Sequence, residues 1–251
     1  MDHTLGREVK VFDDLDALSK AAAAFVVAEL TRTIEDRSVA TLALAGGDTP
    51  KRLYEILSRD YRNSDCWKHT HFFLGDERYV SPNDPESNYR MVRETLFDPL
   101  GIPPVQIHHP FTALPSPAET AEKYEKDLRA FFDPNSVGFD IILLGMGNDG
   151  HTASIFPETL MESVADRQVI ATMSPLPPRD RISVTLSVIN ASRIAMFLIS
   201  GKTKSSAFAQ VLQLADDPNA PLPAARVRAR EQTLFFVDHD AASSYRSAGE
   251  S

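Results

Sequence analysis

The residues with the clearest chemical potential lie in one stretch, Phe139–Pro157, which reads FDIILLGMGNDGHTASIFP. An apolar run ends in a glycine-rich turn, and the turn closes on Asp149-Gly150-His151. Histidine is the side chain best suited to general-base work near neutral pH, and a nearby carboxylate can orient its ring. The same turn offers a second chemistry. Gly145, Gly147 and Gly150 satisfy the G-x-G-x-x-G spacing of a dinucleotide site. Either the glycines cradle a cofactor pyrophosphate, or they bend the chain so that His151 meets a substrate.

A dinucleotide site needs an acid at the tip of the next strand, about 20 residues on, to hold the ribose. Here the next strand, RQVIATMSP, ends in Thr172-Met173-Ser174, and Asp166 lies at its wrong end. The strand before the turn is also about the fifth in the chain, whereas this fingerprint usually opens its domain. The histidine reading is the stronger, and no cofactor is expected.

Three further segments carry polar residues just past apolar strands. LALAGGDTPKRLYE places Gly46 and Gly47 before Thr49-Pro50, which reads as an N-cap followed by proline at the first helical position. A helix opened by glycines is an anion site, although the G-K-[ST] ending of a P-loop is missing. FFLGDERYVSPNDPESNYRM sets Asp76, Glu77 and Arg78 at a strand end. Arg78 can grip a carboxylate or phosphate, and either acid can orient it or a catalytic group. PPRDRISVTL and ISGKTK bring Arg181 and Lys204 beside apolar strands, with Arg179 and Lys202 as equally basic neighbours.

Placing these loops at one end of a sheet requires an alternation of strands and helices, and the chain shows it. Strands are expected at Glu8–Phe12, Ala40–Leu44, His71–Leu74, Ile107–His109, Asp140–Leu144, Gln168–Met173, Ile182–Leu186, Ile194–Ile199 and Thr233–Val237. Helices are expected at Leu15–Asp36, Pro50–Tyr61, Asn88–Leu96, Ala118–Phe132, His151–Phe156, Thr203–Leu214 and Ala241–Tyr245. Near-continuous apolar strands such as Ile141–Leu144 imply a mostly parallel sheet covered on both faces by helices, an α/β fold. In such a sheet ligands bind beyond the carboxyl ends of the strands, so the four loops should share one pocket.

Composition narrows the classes. The 251 residues suit a single domain, 1–245, with a polar tail at 246–251. Asp plus Glu number 35 against 26 for Lys plus Arg, a net charge of −9, which disfavours nucleic acid and anionic membranes as partners. Cys66 is the single cysteine and excludes an internal disulfide. No basic stretch precedes an apolar one at the N-terminus, and Ala21–Leu30 is too short to span a bilayer, so a cytoplasmic protein is expected. The histidines at 69, 71, 108 and 109 lack a metal-binding spacing, and no G-x-S-x-G is present.

Together these motifs resemble the 6-phosphogluconolactonases, within the broader group that includes glucosamine-6-phosphate isomerase/deaminase. The likeness rests on AGGDTP (Ala45–Pro50), GDERYV with SNYRM (Gly75–Val80, Ser87–Met91), GMGNDGHTASIFP (Gly145–Pro157), RISVTL (Arg181–Leu186) and GKTK (Gly201–Lys204), with LFFVDHDAA as a family-like ending. Asp48 departs from the pattern, where serine or asparagine is commoner, and Phe-Phe-Val ends the final strand where tryptophan is frequent. The resemblance implies a modified Rossmann-like fold with a small additional lobe, and hydrolysis of 6-phospho-D-glucono-1,5-lactone without metal or cofactor. It implies His151 as general base, Asp149 or Asp76 orienting it, and Arg78 at the developing oxyanion. Gly46, Gly47, Thr49, Arg181 and Lys204 would hold the phosphate. The sugar phosphate is the expected small-molecule partner, and the enzyme a monomer or weak dimer. The alternatives are isomerase/deaminase chemistry and a non-catalytic sugar-phosphate sensor.

Overall fold

The described residues form ten strands, nine at the expected runs and β4 from the charged triplet expected as a loop: β1 Gly6–Phe12, β2 Ala40–Leu44, β3 Thr70–Leu74, β4 Asp76–Arg78, β5 Ile107–His108, β6 Ile141–Leu144, β7 Val169–Met173, β8 Asp180–Val184, β9 Ile194–Ile199 and β10 Gln232–Asp238. The computed structural model describes residues 6–132, 137–159 and 166–249. Seven strands form one sheet in the order β1-β10-β9-β6-β2-β3-β5, every pairing parallel. β4, β8 and β7 form a second, antiparallel sheet in that order. This small sheet is the additional lobe that the resemblance implied.

Strand side chains alternate between faces, and here both faces are dry. Ala43, Phe73, Ile142, Leu144, Phe197 and Phe235 pack on one side, with the helices Pro117–Phe131, Leu186–Ala191, Ser205–Gln213 and His239–Gly249 and the inner face of the small sheet. Leu42, Phe72, Ile141, Leu143, Met196 and Phe236 pack on the other, against Leu15–Arg37, Asp48–Asp60 and the segment Asn88–Phe97. This double burial is why the strands read as unbroken apolar runs.

The strand order fixes where a ligand can sit. From β2 the chain adds β3 and then β5 on one flank; β6 then returns to the other flank of β2, and β9 and β10 extend that way. The order reverses between β2 and β6, and the loops leaving their carboxyl ends diverge there. Such a switch point opens a crevice.

Three expectations about local structure change. Residues 151–156 are not helical: Thr152 and Ile155 form an isolated antiparallel bridge, and Ala153 has φ +48°, outside the right-handed helical region. The stretch expected as a strand through Leu186 stops at Val184, and Leu186–Ala191 is a helix begun at Thr185. The last helix runs His239–Gly249, so it takes in the backbone of most of the expected tail; residues 250 and 251 lie outside the described residues.

Candidate active site

A cavity of about 630 Å³ opens at the switch point. Gly46, Gly47, Thr49, Asp76, Arg78, His151, Arg181 and Lys204 all line it, so residues from four separate loops converge as expected. Asp149 stands beside His151 and not on the wall.

The turn that carries the histidine is held by its own backbone. Gly147 N–H donates to His151 O at 2.9 Å, Gly150 N–H donates to Gly147 O at 3.1 Å, and Thr152 Oγ1 donates to Gly145 O at 2.9 Å. Gly150 takes φ +76°, which only glycine adopts without cost. The tight fold brings His151 Nδ1 to 2.6 Å from Asp149 Oδ1, and the same oxygen accepts from His151 N–H at 3.1 Å. A Cβ on Gly147 would lie 2.0 Å from His151 Nδ1 and 2.4 Å from Asp149 Oδ1, so a side chain there would split the pair. Two of the three fingerprint glycines are thus explained by presenting a histidine. Burial pushes the Asp149 carboxyl up, but the amide and imidazole of His151 outweigh it and hold the group below the usual carboxylate range. An acceptor at Nδ1 favours the tautomer with its proton on Nδ1, which leaves the lone pair on Nε2.

Asp76, the other candidate partner of His151, is engaged elsewhere. Gly75 joins the two sheets: its N–H donates to Leu44 O and its carbonyl accepts from Val184 N–H, both at 2.9 Å. Beyond it, β4 alternates. Asp76 and Arg78 line the cavity, while Glu77 is buried. Asp76 Oδ2 accepts from Ser154 Oγ at 2.6 Å, and Asn88 Nδ2 donates to Asp76 O at 3.0 Å. Glu77 accepts from the amides of Arg78, Asn88 and Tyr89, each at 2.7 Å, and from Ser87 Oγ at 3.0 Å. Burial raises its carboxyl and these donors oppose the rise. Glu77 therefore anchors the start of the helix that carries Asn88, a structural task.

The loop after β2 differs in detail from the expected capping. The helix starts at Asp48, with Gly47 as the N-cap residue at φ +99° and Thr49 one position inside the first turn. A Cβ on Gly47 would only touch Pro50 Cδ at 4.0 Å, whereas one on Gly46 would lie 1.9 Å from Asn88 Oδ1. Gly46 is small because Asn88 packs against it. Gly46→Ala should therefore cost about 1–3 kcal/mol, the range for overpacking. A urea midpoint equal to wild type would show that Asn88 turns aside freely.

Arg78 and Arg181 are directly opposite in the β4–β8 ladder, an unfavourable arrangement for like charges. Arg78 Nη1 donates to Glu86 O at 2.6 Å, but Arg181 Nε is buried with no partner among the described residues. Burial first, then the Arg78 charge, lowers the affinity of Arg181 for its proton. Burial also lowers Lys204, with Asp149 opposing. Opposed cations and a buried donor without a partner among the described residues can receive an anionic ligand at the cavity wall.

Asn88, Ser154 and the hairpin residues Ser174, Leu176 and Pro177 line the cavity without having been singled out from the sequence. SNYRM lay in a recognised motif, but nothing in its composition pointed to Asn88. Three other histidines pack away from the cavity: His71 Nδ1 and His108 Nε2 are 3.0 Å apart, with His108 stacked on Phe73, and His109 stacks on Tyr89. Burial, with the neighbouring His71, lowers His108 to about 4. Among the described residues no cluster of His, Cys, Asp and Glu is placed to hold a metal ion.

Residues 13–236 match the family described as glucosamine-6-phosphate isomerases/6-phosphogluconolactonase. The chain is 36% identical over 242 residues to a 6-phosphogluconolactonase of Synechocystis, covering 95% of this chain and 98% of that one. It is 37% identical over 235 residues to the Nostoc protein of the same name, covering 92% and 95%. The solved structure of 6-phosphogluconolactonase from Thermotoga maritima superposes with a TM-score of 0.81 at 34% identity, covering 92% of this chain and 99% of that one.

Proposed function

Because the chain belongs to the glucosamine-6-phosphate isomerase/6-phosphogluconolactonase family, we propose that the His151–Asp149 pair is the reactive centre of its lactone hydrolysis. The reaction is opening of 6-phospho-D-glucono-1,5-lactone to 6-phospho-D-gluconate, a step of the oxidative pentose phosphate pathway. The observation that carries the mechanism is the 2.6 Å contact between His151 Nδ1 and Asp149 beside a cavity that Arg78, Arg181 and Lys204 also line.

Nε2 of His151 takes a proton from water as the water oxygen attacks C1, and the Asp149 carboxylate stabilises the imidazolium that forms. Charge on the carbonyl oxygen is met by Arg78. The tetrahedral intermediate collapses with cleavage of the C1–ring oxygen bond, and the imidazolium returns its proton to that oxygen. The phosphate lies among the amides of Gly46–Thr49, Arg181 and Lys204, which holds C1 at the histidine. Asp76, fixed by Ser154 and Asn88, is left to bind sugar hydroxyls. The buried free thiol of Cys66 suits the reducing cytoplasm.

The test is a coupled assay on freshly generated 6-phosphogluconolactone, corrected for spontaneous opening, alongside ammonia release from glucosamine 6-phosphate. Rapid lactone opening without ammonia is expected. Ammonia release at a comparable rate would assign the chain to the deaminase branch, and binding of 6-phosphogluconate without turnover would make it a sensor.

A further inference from the structure

Ala45 connects β2 to the Gly46–Thr49 loop, and it lies beyond the reach of its neighbouring strands. β6 pairs only with Leu42 and Ala43, and β3 pairs no further than Leu44. The peptide groups of Ala45 are nevertheless buried. Both are satisfied by one atom: the hydroxyl of Tyr54 donates to Ala45 O at 2.8 Å and accepts from Ala45 N–H at 2.9 Å. Tyr54 is itself fully buried in the helix that the loop opens. We infer that Tyr54 is a positioning residue for the phosphate subsite, closing strand, glycine turn and helix into one rigid unit whose amides are preset for the anion. Burial raises the phenol, so it remains protonated and able to donate. Phenylalanine would fill the same space but orphan both peptide groups, and the loop would then have to move to find water.

A second tyrosine supplies a matched control. Tyr124 Oη bonds Leu74 O at 2.9 Å and Leu74 N–H at 3.2 Å, the same device beyond the pairing of β3 with β5. The inference rests on the reading that Gly46–Thr49 holds the phosphate, so the experiment compares two substrates, 6-phosphogluconolactone and unphosphorylated glucono-1,5-lactone. Wild type should strongly prefer the phosphorylated lactone; indifference to the phosphate overturns the subsite and this inference with it. If wild type discriminates, Tyr54→Phe should raise KM for the phosphorylated lactone about tenfold, the equivalent of one to two lost hydrogen bonds, with kcat within about twofold. The preference ratio should fall by the same factor. Tyr124→Phe should lower the urea midpoint similarly and leave the ratio alone. An unchanged ratio in Tyr54→Phe, or an equal fall in both variants, overturns the assignment. A measurement on the intact enzyme serves even if Tyr54→Phe fails to fold. Titrating inorganic phosphate should shift the amide resonances of Ala45, Gly46 and Gly47 together with those of the Tyr54 ring; shifts at the glycines without Tyr54 overturn the coupling.

Discussion

His151→Ala will lower kcat by about 10²–10⁴, the usual contribution of a positioned general base, with little change in KM. The side chain is about one-third exposed and the turn is held by backbone bonds, so the urea midpoint should move little. Asp149→Asn should lower kcat in the same direction by less, because the amide still accepts from Nδ1–H but carries no charge to stabilise the imidazolium. Low pH will not mimic that variant in the neutral range. The Asp149 carboxyl is depressed in the folded chain, so its stabilising contribution is present above the ordinary carboxylate value of about 3.9 and is lost only as pH falls through its lower folded value. Lactone opening at the wild-type rate by His151→Ala, after subtraction of the spontaneous reaction, would end the general-base assignment.

Arg181→Met should move affinity and stability in opposite directions. Removing a charge-assisted contact to phosphate costs about 1.5–3 kcal/mol, so KM should rise by about 10–150-fold while kcat changes little. The substrate-free protein should gain stability. Methionine keeps much of the volume, removes a guanidinium that faces Arg78 across the ladder, and abolishes the buried Nε that has no partner among the described residues. The measurement is a urea midpoint without ligand beside a steady-state KM. A midpoint below wild type, or an unchanged KM, would mean that Arg181 serves the fold and not the substrate.

Much of the architecture was legible because burial on both faces writes itself into a strand. Ile141–Leu144 and Ile194–Ile199 are unbroken apolar runs, and both stand where expected. The four site loops were legible for a related reason: polar residues directly after such runs must stand at the sheet's end. What was hidden depends on distance in the chain. Nothing local in Asn88 tells that it packs on Gly46, 42 positions away, or that it holds Asp76. The choice between Asp76 and Asp149 turned on the same limit, since Ser154, which engages Asp76, comes from another sheet's loop. The false helix at 151–156 had a pattern of apolar and polar residues that suits a helix, but the bonds from Gly147 and Thr152 fold the backbone back at once.

The division between the two sheets has an evolutionary consequence. Arg78 and Arg181 ride on the small antiparallel sheet, whereas Asp149 and His151 ride on a turn of the parallel one, with Gly75 as the joint between the sheets. Selection can therefore act on the two inheritances one at a time. On the roles proposed here, a change confined to the small sheet alters Arg78 and Arg181 while the Asp149-Gly150-His151 turn, the Gly46–Thr49 loop and Lys204 stay with the parallel sheet. A family that unites isomerases with a lactonase is what such separable parts would leave behind.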